Sequence, residues 1–420
     1  MKKELHQRPK YLKEALLFRD TDLVKVVTGI RRCGKSSLLE LVREHIEAEH
    51  VPGRSFVSVN LEQRGLGIRD DDDLYSYISQ HMDSDGTTYV FIDEVQRVEK
   101  WHDVVNSLRV EYDCDIYLTG SNALLLSGEL ATYLSGRYVE VKMLPLAFSE
   151  YADFCGLRFS GESTAALLED GRIATFDDVF RRYLDFGGMP AIATLDTTQD
   201  VHSHYMEGLY NTVVVRDVMG RGRGEGRRKT TDPGLVEAVC EYLADTIGRT
   251  ASAKKVADAL TAGGRKTGHT TVAAYMDALA SAYIVYPCTR YDIHGKAMLK
   301  TAPKHYLVDT GLRRYLSGYR GGDAGFVFEN AVYLQLLFGG WSVHVGKLYQ
   351  AEVDFIAVKD GRVVYIQAAD EMFSEETRRR ELAPLKAIHD AHEKVVVVRQ
   401  GDESGDVDGI RIVRARDLFL

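Results

Sequence analysis

Eight consecutive residues, 29–36, combine glycine, lysine and serine at a spacing suited to holding phosphate groups. They read GIRRCGKS and match the pattern G-x-x-x-x-G-K-[ST]. Gly29 and Gly34 permit backbone conformations that larger residues avoid, so that successive N–H groups can point at phosphate oxygens. The pattern predicts that Lys35 reaches the β- and γ-phosphates of a nucleoside triphosphate and that Ser36 ligates Mg²⁺. The predicted nucleotide-binding residues are Gly29, Ile30, Arg31, Arg32, Cys33, Gly34, Lys35, Ser36 and Ser37.

A second chemical feature is the acidic pair Asp93 and Glu94, which follows the apolar run 89–92. Carboxylates that emerge at the carboxyl end of a buried strand lie where ligands bind in open α/β sheets. We expect Asp93 to hold Mg²⁺, directly or through water, and Glu94 to polarise the attacking water. One predicted strand, residues 55–61, separates the glycine loop from this pair. That order favours the class of phosphate-binding proteins whose catalytic glutamate directly follows the metal-binding aspartate.

Two further polar residues are candidates for contact with the γ-phosphate. Asn122 follows the predicted strand 115–119, where it would touch the phosphate or position the water; the alternative is a helix cap. Arg137 precedes another predicted strand and is a candidate γ-phosphate or inter-subunit arginine. A surface ion pair is the alternative for Arg137.

The elements that must position these groups can be read from the pattern of apolar residues. The run LVKVV before the loop is typical of a buried strand, and SSLLELVREHIEAE after it is typical of a helix. With the strands at 55–61, 89–93 and 115–119, this predicts an α/β fold with a parallel sheet, in which strand ends and one helix start meet at the loop. Residues 1–20 predict an amphipathic helix packed on this domain.

Composition limits the classes of protein to consider. The chain has 420 residues and a formal net charge of −9, which argues against a surface made basic throughout for non-specific nucleic-acid binding. Its longest apolar runs fall short of the ~18 residues of a membrane span, and the amino terminus lacks a signal-peptide pattern. The five cysteines are scattered and form no C-x-x-C pair, as expected for reduced thiols in the cytoplasm.

The rest of the chain predicts four further segments after a nucleotide domain at 1–150. Residues 151–220 predict a helical lid with a break at 187–190. Residues 221–231 are a glycine-rich linker in which five basic residues and one acidic residue give 221–229 a charge of +4. This segment is either a flexible connection or a contact to DNA phosphates. Residues 232–318 and 319–420 predict two more domains.

Residues 232–318 predict three helices and two short strands, 284–286 and 304–308, which is a winged-helix order. The third helix has few basic residues, so a contact with a protein partner is favoured over reading of the DNA major groove. The last block reads α-β-β-β-α-β-β.

Taken together, the chain resembles bacterial and archaeal AAA-type P-loop ATPases that carry a carboxy-terminal, restriction-endonuclease-like domain of unknown function. The segments that carry the resemblance are VVTGIRRCGKSSLLEL, VFIDEVQRVEKWHDVVNSL, DIYLTGSNALLLSGELA, LSGRYVEVKMLPLAFSEY, GGMP, HYLVDTGLRRYL, VFENAVYLQLL and EVDFIAV. The resemblance implies an ATPase core, a winged-helix middle and a PD-(D/E)xK-like end.

The nuclease pattern at that end is incomplete. Such sites need a helix Glu, then Asp, then Glu/Asp-x-Lys on the next strand, so that carboxylates hold Mg²⁺ and the lysine helps to activate water. Glu329 and Asp354 match the first two positions, but the third element is Gln367-Ala368-Ala369. We therefore expect a folded but non-cleaving, degenerate site at Glu329, Asp354 and Gln367.

Three functional hypotheses follow from these observations. The first is a Mg²⁺-dependent ATPase that couples nucleotide state to rearrangement of the winged-helix and nuclease-like module. The second is a slow, ATP-dependent interaction switch, in which a protein partner binds through the winged helix or the carboxy-terminal domain. The third is a DNA-acting ATPase of mobile-element or defence type that uses residues 221–229. Oligomers are compatible with all three.

Overall fold

The computed structural model of the chain divides into two compact units, residues 1–143 with 281–283 and residues 144–280 with 284–420. The residues that the structure describes are 5–83, 86–121, 134, 136–159, 165–167, 173–195, 198–213, 218, 232–318, 322–349, 351–401 and 404–420.

The first unit is built on five parallel strands. These are β1 (Val24–Thr28), β2 (Arg54–Asn60), β3 (Thr87–Asp93), β4 (Cys114–Gly120) and β5 (Tyr138–Lys142). Their order in the sheet is β2-β3-β4-β1-β5, and every neighbouring pair is parallel. The predicted α/β fold with a parallel sheet is therefore confirmed. The carboxyl ends of all five strands lie on the same side of the sheet. There β3, which ends in the acidic pair, and β1, which ends at the glycine loop, are separated only by β4.

Four helices accompany this sheet, and their apolar faces explain the core. They are α1 (Pro9–Leu16), α2 (Lys35–Glu47), α3 (Asp71–Ser79) and α4 (Trp101–Glu111). Valine, isoleucine and leucine side chains from β1 to β4, α3 and α4 form one buried cluster. In α1, Tyr11 and Ala15 are fully buried four residues apart, so the predicted packing of an amino-terminal amphipathic helix is confirmed.

The second unit begins with helices and a small hairpin. The helices are α5 (Phe148–Phe154), α6 (Phe176–Phe186), α7 (Pro190–Thr194), α8 (Gln199–Val213), α9 (Pro233–Asp245), α10 (Ala253–Ala262) and α11 (His269–Ser281). The antiparallel pair β6 (Ala165–Leu167) and β7 (Ile173–Thr175), which precedes α6, was not predicted. The predicted break at 187–190 is present, because α6 ends at Phe186 and Pro190 begins the next helix. The predicted linker 221–231 lies outside the described residues.

The remaining strands of this unit form a single sheet. They are β8 (Val285–Asp292), β9 (Ala297–Leu307), β10 (Ser342–Leu348), β11 (Ala351–Lys359), β12 (Arg362–Met372), β13 (Glu393–Gly401), β14 (Gly405–Val407) and β15 (Ile410–Arg414). The order is β14-β15-β13-β12-β11-β10-β8-β9. The accompanying helices are α12 (Thr310–Ser317), α13 (Ala324–Phe338), α14 (Glu375–Lys386) and α15 (Ala415–Phe419).

The hairpin β8–β9 differs from the prediction in length and in placement. Its strands extend to a turn at 293–296, because residues 290–292 pair with 297–299 across the hairpin. In addition, β8 pairs in parallel with β10, which places the hairpin at the edge of the eight-stranded sheet. The predicted boundary at residue 318 therefore separates strands that share one hydrogen-bonded sheet. Three helices do precede a hairpin, but that hairpin is not a separate wing.

In the part of the chain that the structure describes, no helix has both the length and the apolar character needed to cross a membrane.

Candidate functional site

The glycine loop lies between the end of β1 and the start of α2, as the pattern predicts. Gly29 and Gly34 have φ values of +143° and +106°, a region that L side chains rarely adopt. A Cβ at Gly29 would lie 2.2 Å from the carbonyl oxygen of Met143, so no larger residue fits there. Gly34 is the N-cap residue of α2, which directs the unpaired N–H groups of the first helical turn toward the loop.

Lys35 is buried at the start of α2, with its ammonium group turned toward the loop. Its Nζ donates hydrogen bonds to the carbonyl oxygens of Gly29 and Ile30, both at 3.0 Å. The loop therefore surrounds a cationic centre with backbone groups. This charge can balance part of the charge of a phosphate chain.

The side chains of Ser36 and Asp93 meet at the carboxyl edge of the sheet. Ser36 Oγ donates a hydrogen bond of 3.0 Å to Asp93 Oδ1, although the two residues are 57 positions apart. Hydroxyl and carboxylate oxygens are ligands that Mg²⁺ prefers. The donor set therefore fits a magnesium ion shared by these two residues and phosphate oxygens.

Two residues that the sequence did not single out complete the surroundings of Asp93. Asn60, the last residue of β2, donates from Nδ2 to Asp93 Oδ2 at 3.0 Å, and Thr119 in β4 donates from Oγ1 to Asp93 Oδ1. Both are polar residues near the carboxyl end of a strand. That position was the available sequence signal, but only the pairing of β2, β3 and β4 identifies their common partner.

Glu94 adopts a left-handed backbone conformation, with φ of +58°, directly after β3. Its N–H donates to Thr119 Oγ1 at 2.9 Å, so the same hydroxyl orients both acidic residues. The carboxylate accepts a hydrogen bond from Gln96 Nε2 and lies 3.8 Å from a guanidinium nitrogen of Arg31 in the glycine loop. The structure thus brings the loop, Asp93 and Glu94 together.

The amino-terminal segment also reaches the loop. Arg8 is buried and donates from its guanidinium group to the carbonyl oxygen of Cys33 at 3.0 Å. The same guanidinium lies over the ring of Tyr11, 4.5 Å from its centroid. No motif in the sequence singles out Arg8.

Arg137 lies at the amino-terminal ends of the parallel strands, whereas the glycine loop lies at their carboxyl ends. Its carbonyl oxygen accepts a hydrogen bond from the N–H of Val24, the first residue of β1, whereas the loop follows the last residue. Five residues of strand span roughly 16 Å. This placement does not fit contact between Arg137 and a γ-phosphate bound by its own chain; a contact across subunits stays a prediction. Asn122 lies outside the described residues.

A second polar cluster lies in the other unit and contains the three predicted nuclease-like residues. Lys304 of β9 is buried, and its Nζ lies 3.0 Å from Glu329 Oε1, 2.8 Å from Glu352 Oε1 and 3.9 Å from Asp354 Oδ1. Gln367 Oε1 accepts a hydrogen bond of 3.3 Å from the N–H of Asp354. Glu329 and Asp354 therefore lie near an ammonium group that the sequence pattern did not include, and Gln367 is joined to Asp354.

The electrostatics of this cluster are those of a compensated buried ion group. Burial, together with the negative charge of Glu329, raises the pKa of Asp354 well above its usual range. For Lys304, burial disfavours the charged form, but the charges of Glu329, Asp354 and Glu352 outweigh it and raise the pKa of the ammonium group. The described residues contain no group of three His, Cys, Asp or Glu side chains arranged to hold a metal ion.

Two family models match the chain. An AAA domain matches residues 21–152, and a domain of unknown function, DUF8612, matches residues 177–323. The first match contains the loop and the acidic pair. The second contains α6 from its second residue, α7 to α12 and the hairpin β8–β9.

The chain is also similar to whole proteins. It is 35% identical over 422 residues to an uncharacterised protein of Haemophilus influenzae, covering all of both chains. It is 25% identical over 376 residues to an uncharacterised protein of Methanocaldococcus jannaschii, covering 87% of this chain and 79% of that one.

Solved structures overlap with the chain only partly. The Walker-type ATPase PABY2304 of Pyrococcus abyssi overlaps with a TM-score of 0.46 at 14% identity, over 74% of this chain and 95% of that chain. The Aeropyrum pernix Orc1 protein, solved in complex with DNA, overlaps with a TM-score of 0.31 at 14% identity, over 74% of this chain and 92% of that chain.

The glycine loop, the acidic pair and the parallel sheet agree with the first family match, and the similarity to the H. influenzae protein extends from end to end. The chain belongs to the same family as that protein, and its residues 21–152 are an AAA domain of the P-loop type.

Proposed function

We propose that the protein binds ATP with Mg²⁺ and hydrolyses it at the edge of the five-stranded sheet. The observation that carries this proposal is the 3.0 Å hydrogen bond between Ser36 and Asp93, with Glu94 next in the chain. A loop that only held phosphate would need neither a paired metal ligand nor an adjacent carboxylate.

In this proposal the loop residues bind the phosphates and the acidic pair prepares the reaction. The N–H groups at the start of α2 and the ammonium group of Lys35 hold the β- and γ-phosphate oxygens. Ser36 and Asp93 hold Mg²⁺, which when bound neutralises negative charge on those oxygens. Glu94 accepts a hydrogen bond from the attacking water and orients it toward the γ-phosphate. Thr119 keeps the backbone of Glu94 in place during this step.

We further propose that nucleotide state is passed to the segment at the junction of α11 and β8. Tyr283 belongs to the first compact unit and donates a hydrogen bond of 3.3 Å to Glu140 Oε1. Glu140 also accepts a hydrogen bond from Thr28, the residue immediately before Gly29. This chain of contacts joins the loop to residues that lie between α11 and β8 in sequence. Movement of the loop can therefore change the path of the chain at that junction.

Three variants test the proposed reaction. Lys35→Ala should abolish ATP binding, because backbone groups alone do not balance the charge of a triphosphate. Glu94→Gln should retain ATP binding measured by calorimetry but lose turnover. Lys100→Gln, a change at an exposed residue after Glu94, is the matched control and should keep both properties.

Two results would contradict hydrolysis at this site. If the wild-type protein bound no purine triphosphate, the proposal of an ATP site would fail. If the wild type bound ATP but hydrolysed it no faster than Glu94→Gln, the protein would be a slow nucleotide-dependent switch.

For the second cluster we propose a structural role without DNA cleavage. The position where a nuclease would hold a divalent cation among carboxylates is close to the ammonium group of Lys304, and Gln367 offers a neutral amide in place of a carboxylate. Incubation of plasmid DNA with the protein and Mg²⁺ or Mn²⁺ should produce no nicking above that of Asp354→Ala. Nicking that depends on Asp354 would contradict this role. Contact of residues 221–229 with DNA stays a prediction.

A further inference from the structure

The second unit contains a cavity of about 220 Å³ whose walls carry an unusual density of charge. It is bounded by α6, α12, the start of α13 and the ends of β12 and β13. The described residues that line it include four arginines and three aspartates: Arg181, Arg313, Arg314, Arg399, Asp185, Asp323 and Asp370. It is distinct from the Lys304 cluster, which shares none of these residues.

Three of the arginines are already matched by the three aspartates. Arg313 pairs with Asp323. Arg314 lies 2.7 Å from Asp185, and Arg399 donates to both carboxylate oxygens of Asp370. These three pairs join neighbouring walls of the cavity, and their formal charges cancel.

Arg181 is the fourth arginine and leaves the cavity with an excess of one positive charge. It lies on α6, and among the side chains that the structure describes it has no acidic partner within ion-pair distance. Arg181 is exposed to solvent and lines the cavity. A guanidinium group in this position can offer two parallel N–H donors to an incoming oxyanion.

A second donor is buried in the wall. Arg313 is only 5% exposed, and its Nε–H has no hydrogen-bond acceptor. A buried donor without an acceptor costs free energy, so an oxyanion in the cavity that accepted from this N–H would be stabilised.

A third set of donors comes from the start of α13. Asp323 occupies the N-cap position, but its side chain makes no capping hydrogen bond because it is directed to Arg313. The N–H groups of the first turn, beginning at Ala324, therefore lack the cap that an aspartate usually provides. Ala324 and Val327 line the cavity, so this positively polarised helix end faces it.

From these three donors we propose that the cavity is a binding site for a phosphoryl group, separate from the P-loop. The donors come from three elements, α6, α12 and α13, and so approach from different directions. A phosphoryl group presents three strong acceptor oxygens, whereas a carboxylate presents two in one plane. The phosphoryl group belongs either to free phosphate or to a small phosphomonoester. The inference does not depend on ATP hydrolysis by the first unit.

The test is isothermal titration calorimetry of the full chain with inorganic phosphate at constant ionic strength. Lys35→Ala is used as the parent, so that the P-loop does not contribute. We expect one phosphate per chain in the parent, and affinity reduced about tenfold or more when Arg181→Gln is added, since a charged hydrogen-bond donor is lost. Arg379→Gln on the exposed face of α14 is the matched control and should leave the affinity unchanged.

Further titrations distinguish the ligands. Tighter binding of methyl phosphate than of inorganic phosphate would assign the site to a phosphomonoester, and the reverse would assign it to free phosphate. Acetate should bind at least tenfold more weakly than either. Absence of phosphate binding in the parent, equal affinity in Arg181→Gln, or equal binding of acetate would overturn the proposal. Because Arg181 is exposed, circular dichroism should show an unchanged fold in its variant.

Discussion

The guanidinium group of Arg8 donates a hydrogen bond to the carbonyl oxygen of Cys33, at 3.0 Å and 25 residues away in sequence. Cys33 lies in the P-loop between Arg32 and Gly34, and its side chain is itself buried. Arg8 therefore ties the amino-terminal segment to the glycine loop and restrains the loop backbone. Such a restraint should strengthen phosphate binding by the loop. Its N–H groups must converge on the phosphate oxygens, and a loop that is already ordered loses less conformational entropy when it binds.

Replacement of Arg8 by methionine should loosen the P-loop. The carbonyl oxygen of Cys33 would lose its donor in a buried place, which costs about 1–3 kcal/mol. We expect a lower melting temperature and weaker ATP binding, measured by calorimetry. Lys13→Met on the exposed face of α1 should change neither. Equal ATP affinity in the wild type and Arg8→Met would contradict the restraint.

Thr119 should affect turnover much more than binding. Its hydroxyl donates to Asp93 and accepts from the N–H of Glu94, so it positions both acidic residues without lying in the glycine loop. Thr119→Val should lower kcat by roughly 10- to 100-fold, since small misplacements of reacting groups have effects of that size. The dissociation constant of ATP should change little. Thr119→Ser keeps the hydroxyl group and should have a kcat close to that of the wild type. If kcat in Thr119→Ser were as low as in Thr119→Val, the methyl group of Thr119, and not its hydroxyl group, would be required.

Tyr283 should carry the coupling between the P-loop and the α11–β8 junction. In Tyr283→Phe the hydroxyl that donates to Glu140 is absent, while the ring remains to pack beside Lys142. We expect ATP to bind normally. Any ATP-dependent change in hydrogen–deuterium exchange over residues 269–292 should be reduced in this variant and retained in Tyr291→Phe. An identical response in both variants would contradict the coupling.

Asp309 gives the second unit a pH dependence of a specific sign. Its carboxylate is buried and accepts N–H groups of Gly188 at 2.7 Å and Leu312 at 2.9 Å. Burial, opposed by these hydrogen bonds, raises the pKa of Asp309 from 3.8 to about 6. Between these values the folded state binds more protons than the unfolded state. The contribution of Asp309 to stability is therefore lost as the pH rises from about 4 to about 6.

The effect is measured by comparing the wild type with Asp309→Asn. Two pKa units correspond to about 3 kcal/mol, so the free energy of unfolding of the wild type should fall by about that amount relative to the variant between pH 4 and pH 6.5. The difference between the two proteins is measured because two histidines also make stability depend on pH in this range. Burial lowers the pKa values of His202 and His305 to about 4. Their contributions have the opposite sign, being lost as the pH falls from 6.5, but they are common to both proteins. A difference independent of pH would contradict the raised pKa of Asp309.

Lys304 should be necessary for the stability of the second unit. Lys304→Met would leave the buried carboxylates of Glu329 and Asp354 without their cationic partner, whereas Glu352 would keep its ion pair with Arg290. The loss is expected to cost about 3–5 kcal/mol in urea unfolding. Adding Glu329→Gln to that variant should recover part of the loss, because it removes one of the uncompensated charges. If Lys304→Met were as stable as the wild type, the ammonium group would not be the charge that holds the cluster together.

The contiguous features of the nucleotide site could be predicted from the sequence. The residues from Gly29 to Ser37 lie on one turn between a strand and a helix, and Asp93 and Glu94 follow a strand that is apolar over four residues. Such features depend on local backbone geometry and on the rule that ligands bind at the carboxyl ends of parallel strands, so the sheet and its functional edge follow from pattern alone.

Other residues acquire a position only through pairing between distant parts of the chain. Asn60 and Thr119 face Asp93 because β2 and β4 lie on either side of β3, and Lys304 enters the acidic cluster because the hairpin β8–β9 joins the carboxy-terminal sheet. The sequence left Arg137 as a candidate γ-phosphate or inter-subunit arginine, with a surface ion pair as the alternative. Arg137 lies at the amino-terminal ends of the strands, away from the glycine loop, because it precedes β5 and β5 runs parallel to β1. The sequence shows which residue types the chain contains and how they are spaced. The order and direction of the strands determine which of these side chains come into contact.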